Sequence, residues 1–277
     1  IIMLRNSLAV AGKETRPIKR LYWAGLTIMT ALSLLTCRRA IAVSDYARKA
    51  LTFGLGDKFQ RKVTVVHHGV SEVFEANPNV ERKNYLLTVS DIYVQKNIHT
   101  LIRALVKIRK KYPDIVLKIA GKAVDQGYLA ELHSVLDQAQ LRDAVEFLGE
   151  KNAEELKHLY QECKLFVFPS TVETFGNPLV EAMACAAPIV SSNTAAMPEV
   201  LGAAGYYFDP LDAQDMAESI IKLLEDDEIR RKLGEIAYQR AQLFSRKATT
   251  DKTAEVIKSV VPERYAQITS NQLQTSS

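Results

Sequence analysis

A chain of 277 residues with 47% hydrophobic and 25% charged content has apolar material for one large domain or two ordinary ones, and is not a disordered chain. Its net charge of +4 is unevenly placed: residues 1–70 carry 12 Lys/Arg against 3 Asp/Glu, a net of +9, and residues 71–277 carry 24 against 29, a net of −5. Cys37, Cys163 and Cys185 lie far apart inside apolar segments without a Cys-x-x-Cys pair, and the five histidines show no ligand spacing, so buried reduced thiols at a cytosolic address are expected rather than a disulfide framework or a metal site.

The basic first quarter suits an anionic partner. It lacks the aromatic-basic interleaving, zinc spacing or recognition helix that nucleic acid would call for, which leaves anionic lipid headgroups or an ordinary solvated face. Leu21 to Cys37 is an uncharged run of 17 residues between Lys19-Arg20 and Arg38-Arg39. That length is at the bottom of the membrane-spanning range and includes four Ser/Thr, so the run reads as a buried or interfacial helix rather than a span. Arg38-Arg39 stands where a secretory signal would have a small-residue cleavage site.

From residue 63 strands and helices alternate. Strands are predicted at Val63 to Val66, Tyr85 to Ser90, Val116 to Ala120, Val145 to Leu148, Leu165 to Phe168, Pro188 to Ser192 and Tyr206 to Phe208. Helices are predicted at Ile98 to Lys111, Tyr128 to Gln138, Ala153 to Cys163, Asn177 to about Ala187, Ala213 to Leu224 and Asp227 to Phe244, with a turn at Pro198 to Leu201. Repeated strand-helix units mean an α/β fold with a doubly wound parallel sheet, which binds ligands at the carboxyl ends of its strands. Three strands run out at Ser90, Gly121 and Gly149, and a fourth runs into ETFGNPLVE, Glu173 to Glu181.

In that stretch Asn177 followed by Pro178 signals a helix start, with Asn177 as the cap. Glu181 is one place too late for a capping box, whose third helical position is Val180. A strand end, a flexible Gly176 and a helix N-terminus form an anion-binding corner, for which phosphate is the natural guest. Taken alone, Glu173 and Glu181 could be solvated, Glu181 merely complementing the helix dipole; four strand ends meeting at one crevice favour a ligand. The loop VSDIYVQKN, Val89 to Asn97, places Lys96 over the same crevice as a point charge for a diphosphate.

With AIAVSDYARKAL, VTVVHHGVSEVF, YLLTVSDIYVQKN, LKIAGK, VEFLGE, LFVFPSTVETFGNPLVEAMACAAPIVSSN, PEVLG and YYFDPLD in this order, the chain from Arg38 to Phe244 resembles the retaining, metal-independent glycosyltransferases of the GT-B fold. That family includes sucrose synthases, glycogen synthase relatives and bacterial mannosyl- and glucosyltransferases of envelope assembly. The Glu-x7-Glu pattern with Phe-Gly inside it is the specific element. The resemblance implies a nucleotide-diphosphate sugar as donor, UDP- or GDP-linked, and no metal or other cofactor. Glu173 would face the donor sugar and Lys96 would stabilise the leaving diphosphate, the two catalytic positions. The backbone at Phe175, Gly176 and Asn177 would hold sugar hydroxyls. Asn177, Pro178 and Leu179 would present the helix start to the phosphates, Glu181 would bond the ribose, and Ser90, Gly121 and Gly149 would line the crevice. A glycan or lipid-linked acceptor, a cytoplasmic setting and a peripheral position at the inner membrane face follow as expectations.

Two departures matter. Many members have Gly-Arg where this chain has Ser90-Asp91, so Lys96 acts alone or with a further cation; and the usual Asn-Gly-Val-Asp reads His68-Gly69-Val70-Ser71. The family's glycine-rich loop and histidine do not precede Ile1. The expected organisation is a partial acceptor domain at 1–76, a complete nucleotide-sugar domain at 77–245, and at 246–277 a helix crossing back with a disordered tail. Beside an active transferase stand a truncated or degenerate paralogue that binds nucleotide sugar without transferring it, and epimerases and phosphorylases of the same fold; the chain lacks the phosphorylases' length and pyridoxal-lysine context.

Overall fold

The computed structural model describes residues 2–4, 17–52 and 56–261. Two compact units result: the residues up to His67 together with those from Arg246 onward, and His68–Ser245.

The smaller unit begins with strand β1 (Ile2–Leu4), helix α1 (Pro17–Thr36), strand β2 (Ala40–Ala42), helices α2 (Asp45–Thr52) and α3 (Asp57–Gln60), and strand β3 (Val63–Val65). The strands form a parallel sheet in the order β1-β2-β3. The sequence reading started its alternation at Val63 and so missed β2 and α2. The three residues of β2 are fully buried, and Ser44 starts α2 by accepting a hydrogen bond from Ala47 N at 2.9 Å. Helix α1 was expected to be buried or interfacial. Leu34 and Thr30 are buried, whereas Leu21, Tyr22, Ile28, Met29, Leu32 and Leu35 are exposed. Among the described residues no helix is long and apolar enough to cross a membrane. Cys37, just past the end of α1, is half-buried rather than enclosed.

The larger unit runs β4 (Lys83–Val89), α4 (Ile98–Lys111), β5 (Val116–Ala120), α5 (Gln126–Ala139), β6 (Val145–Gly149), α6 (Ala153–Glu162), β7 (Cys163–Phe168), α7 (Asn177–Ala184), β8 (Ile189–Ser192), α8 (Met197–Leu201), β9 (Tyr206–Phe208), α9 (Ala213–Leu224) and α10 (Asp227–Ala241). All six strands are parallel, in the order β6-β5-β4-β7-β8-β9. Helix α4 packs against α5 and α9, and α7 against α6, α8 and α10, so the sheet is covered on both faces. Leu86, Leu87 and Leu165 to Phe168 are accordingly without solvent exposure. The chain winds outward from β4 to β6 and then returns to β7, which puts the reversal of strand order between β4 and β7. Ligand crevices form at such reversals.

The boundaries reflect local chemistry. Asn152 and Glu155 close a capping box on α6, and Asp125, Asp212 and Asp226 cap α5, α9 and α10. Helix α10 stops at Ala241, and Gln242–Phe244 tightens into a 3-10 turn. Pro198 lies inside a short helix, not a turn. Helix α7 ends three residues earlier than expected: Ala187 N donates to Ala182 O at 3.0 Å and Ala186 N to Met183 O at 3.0 Å, with Ala186 left-handed at φ 54°.

At the amino ends of the strands, Arg82 donates to the carbonyls of Tyr160 (3.4 Å), Gln161 (3.1 Å), Cys163 (3.0 Å) and Ala186 (2.6 Å). The first division was expected after Ala76, but residues 68–76 pack with the larger unit. Val70 N donates to Phe244 O at 2.7 Å, the Phe74 ring meets that of Tyr160 edge-on at 5.9 Å, and Gln161 Nε2 donates to Glu75 O at 2.7 Å. After Ser245 the chain rejoins the smaller unit through helix α11 (Arg246–Lys258), where Val256 packs on Ile41 and Val66 and Thr249 Oγ1 donates to His67 O at 2.8 Å.

Gly121 is the tightest point of the larger unit. At φ +150° it lies so close to β4 that a Cβ there would sit 1.9 Å from Ser90 O. Gly121→Ala is therefore expected to cost about 1–3 kcal/mol or more as the two strand ends are forced apart. A thermal midpoint equal to that of the unaltered chain would contradict this.

Candidate functional site

The sheet brings four strand ends into line. Gly121 N donates to Gly149 O at 2.8 Å and Ser90 N to Ala120 O at 2.9 Å, so the exits of β6, β5 and β4 are directly joined. The exit of β7 lies on the other side of β4.

The loops leaving β4 and β7 are laced together. After the 3-10 turn Val94–Lys96, Asn97 adopts φ 56°, a left-handed conformation that asparagine tolerates. Its buried amide donates to Pro169 O at 3.0 Å and to Pro210 O at 2.6 Å, while its oxygen accepts from Thr100 Oγ1 at 2.6 Å. Thr171 N donates to Gln95 O at 2.9 Å. From the other side, Ser192 Oγ donates to Ser170 O at 2.7 Å and Thr194 Oγ1 to Thr171 O at 3.1 Å.

This lacing joins the two residues expected to act on the sugar and the diphosphate. Lys96 Nζ and Glu173 Oε1 lie 2.6 Å apart with side chains 10% and 15% exposed. The Tyr93 ring lies 5.2 Å from the same ammonium. Burial alone would lower the Lys96 pKa, but Glu173 and Tyr93 outweigh it and hold the ammonium above its ordinary value, so it is charged throughout the neutral range.

The corner differs from expectation in two respects, its cap and the amides it leaves open. Gly176, not Asn177, caps α7; it is left-handed at φ 87°, and a Cβ there would lie 3.3 Å from the Phe168 ring. Asn177 and Pro178 are thus the first two helical residues, and Asn177 is exposed. Pro178 has no amide hydrogen and Leu179 N already donates to Gly176 O at 2.9 Å, so in this stretch Asn177 N–H is the open donor. Phe175 is buried, its ring edge-on to His68 at 5.3 Å and to Phe244 at 5.7 Å. Glu181, one turn into α7, makes no bond to the Lys96 and Glu173 pair and instead accepts from Tyr160 Oη at 2.9 Å. Burial raises its pKa, and the Tyr160 hydrogen bond opposes the rise.

Sequence reasoning did not single out Asn97, Tyr93 or Tyr160. Asn97 could have been found as the polar residue directly before a helix; Tyr160 reads as one more apolar position of α6. A cavity of about 810 Å³ lies at the opposite edge of this unit, between residues 76–80 and α10. Its charged lining is largely occupied: Arg82 by four carbonyls, Arg230 by Asp227 and Arg231 by Glu235.

The fold places the chain among GT-B proteins. It aligns with Anabaena Alr3699/HepE, solved with UDP and glucose, at TM-score 0.81 and 23% identity, over 94% of this chain and 71% of that one. It aligns with the C-terminal domain of LpcC, a Francisella tularensis glycosyl transferase group 1 family protein, at TM-score 0.55 and 26% identity, over 62% of this chain and 96% of that one. Residues 70–240 match the family described as Glycosyl transferases group 1, and the chain belongs to that family. Among curated relatives, the Escherichia coli O-antigen chain mannosyltransferase B is 28% identical over 240 residues, 82% of this chain and 62% of the relative. The E. coli serotype-specific mannosyltransferase WbdA is 34% identical over 165 residues, 58% of this chain and 20% of the relative. The chain thus spans less than two thirds of the length of either.

A carboxyl whose folded-state pKa is raised contributes stability that is present below its unfolded pKa and lost as pH rises through the folded pKa. The ionised form of Glu181 therefore weighs against the fold. Glu181→Gln is expected to raise the thermal midpoint at pH 7–8, with the gap closing as pH falls toward the carboxylate range. Thermal unfolding at three pH values checks the sign; a variant less stable at neutral pH contradicts it.

Proposed function

We propose that this chain carries the donor site of a glycosyltransferase, which moves a sugar with retention of configuration from a UDP- or GDP-linked donor to a glycan or lipid-linked acceptor, without a metal ion. The observation that carries the reading is the Lys96 and Glu173 pair, fixed where strand order reverses and beside the start of α7. Two relatives are named O-antigen chain mannosyltransferases, which makes mannose the first sugar to test.

In this reading the transition state is oxocarbenium-like, and negative charge grows on the leaving phosphate, which is where fixed cations and amide dipoles accelerate the reaction. Lys96 supplies the cation and Asn177 N–H an amide at the helix start. The ammonium has three donors and Glu173 takes one, so Lys96 can bond the diphosphate while still orienting Glu173 toward the sugar. Glu181 receives a ribose hydroxyl. Gly121 and Gly149 leave the strand exits low enough for the nucleotide to approach the backbone.

Calorimetry with UDP, GDP and ADP is expected to show one of them binding in the presence of a chelator. No binding at millimolar concentration would remove the donor site. Glu181→Ala should weaken nucleotide binding by roughly 1–3 kcal/mol, whereas Glu173→Ala should spare the free nucleotide and weaken the nucleotide sugar. Equal losses for both ligands in both variants would contradict this division of roles. Binding without turnover over a panel of acceptors would favour a nucleotide-sugar-binding role for this chain.

The exposed apolar side chains of α1, followed by Arg38 and Arg39, further suggest peripheral docking on anionic membrane at the cytoplasmic face. The chain is expected to float with vesicles containing anionic phospholipid and to lose that association in high salt. Failure to float at low salt would remove membrane docking.

A further inference from the structure

The donor reading gives Glu181 a ribose hydroxyl but leaves open what aims its carboxylate. A glutamate side chain turns freely, and two equivalent oxygens give it no inherent direction. Here one oxygen is committed: Tyr160 Oη, on α6, donates to Glu181 Oε2 at 2.9 Å. Oε1 has no hydrogen-bond partner among the described residues and is not among the enclosed unsatisfied atoms.

Tyr160 is itself held rigidly. It has no solvent exposure, and its ring lies edge-on to Phe74 at 5.9 Å and to Phe166 at 5.3 Å. Phe166 stacks on Phe168 at 6.0 Å, and Phe168 lies under Gly176. One aromatic ladder therefore underlies both the cap of α7 and the carboxylate one turn later. Burial holds the phenol far above its ordinary pKa, so it remains a donor at every working pH.

We propose that Tyr160 is a positioning residue for nucleotide binding: by occupying Oε2 it fixes the plane of the Glu181 carboxylate and leaves Oε1 as the acceptor for the vicinal hydroxyls of the donor's ribose. This rests on the assignment of Glu181 to the ribose.

The same hydrogen bond also governs protonation. With the Tyr160 hydroxyl removed, the effect of burial on Glu181 is unopposed, and the carboxyl takes up a proton at higher pH. A protonated Glu181 is a poorer acceptor. The other groups around it do not compete for that role. Cys185, just past the end of α7, and Cys163, at the start of β7, are both pushed up by burial to about 12 and stay neutral. Lys157 of α6 is engaged by Glu154 at 2.7 Å and Glu75 at 3.9 Å.

The test uses the full chain, UDP and GDP, and their 2′,3′-dideoxy forms. Tyr160→Phe keeps the ring and removes one oxygen. It is expected to weaken the ribonucleotide that binds by roughly 5- to 30-fold, to leave the dideoxy form nearly unchanged, and to make the loss grow as pH falls from 8 to 5. Added to Glu181→Ala, it should cause no further loss. If Glu181→Ala does not diminish the preference for ribose, the ribose assignment itself fails. If Glu181→Ala does so and Tyr160→Phe does not, or if Tyr160→Phe weakens ribo and dideoxy forms equally and independently of pH, the positioning role is overturned. Should the Phe variant not fold, 3-fluorotyrosine at position 160, a stronger donor, should move the acid limb of ribonucleotide binding to lower pH; an unmoved limb overturns the proposal.

Discussion

One buried amide holds the strand exits of the larger unit together. Asn97 joins the loop after β4 to the exits of β7 and β9 through Pro169 O and Pro210 O, at the point where strand order reverses. Two loops leaving neighbouring parallel strands would otherwise diverge, each following its own helix to an opposite face of the sheet. With the amide in place, the turn before α4 cannot move independently of the corner before α7. The buried ammonium of Lys96 and carboxylate of Glu173 can then be held in contact at little further entropic cost. A buried ion pair offers weak stabilisation when desolvation is counted. Its presence here accords with a site arranged for a charged guest.

The second carboxylate obeys a different logic. Glu173 is paired with a cation, whereas the hydrogen bond that Glu181 receives comes from the Tyr160 phenol, which opposes the upward pull of burial on its pKa. Eight residues separate them in sequence, and the cap of α7 at Gly176 turns the chain between them so that each meets a different partner. One short stretch of chain thus presents two acidic groups in two electrostatic environments, one paired and one poised to accept.

Much of this was legible in the sequence because it depends on periodicity and punctuation. Ile98–Lys111, Val116–Ala120, Tyr206–Phe208 and Ala213–Leu224 have the bounds that their apolar patterns imply, and the Gly-Asn-Pro run marks the corner. What was not legible depends on neighbours distant in sequence. The choice of Gly176 over Asn177 as cap follows from the nearness of the Phe168 ring. The importance of Tyr160 lies in a hydroxyl that meets a helix 21 residues later. The short β2 and α2 were hidden by a basic, uneven segment in which three residues of strand give little periodic signal.

The parallel sheet also has a consequence for how this molecule comes into being. No strand of the larger unit can pair with its sequence neighbour through a tight hairpin, because every connection is a crossover. The central pairing of β4 with β7 joins Lys83 to Cys163, and α7 comes only after that. On a ribosome the helices can form as they emerge, but the β4 edge that flanks the reversal point stays open until β7 is synthesised. Contacts this far apart in sequence slow folding, and exposed edges in the meantime invite wrong partners. Lys96 and Glu173 are thus brought together late, once β7 has been added to the sheet.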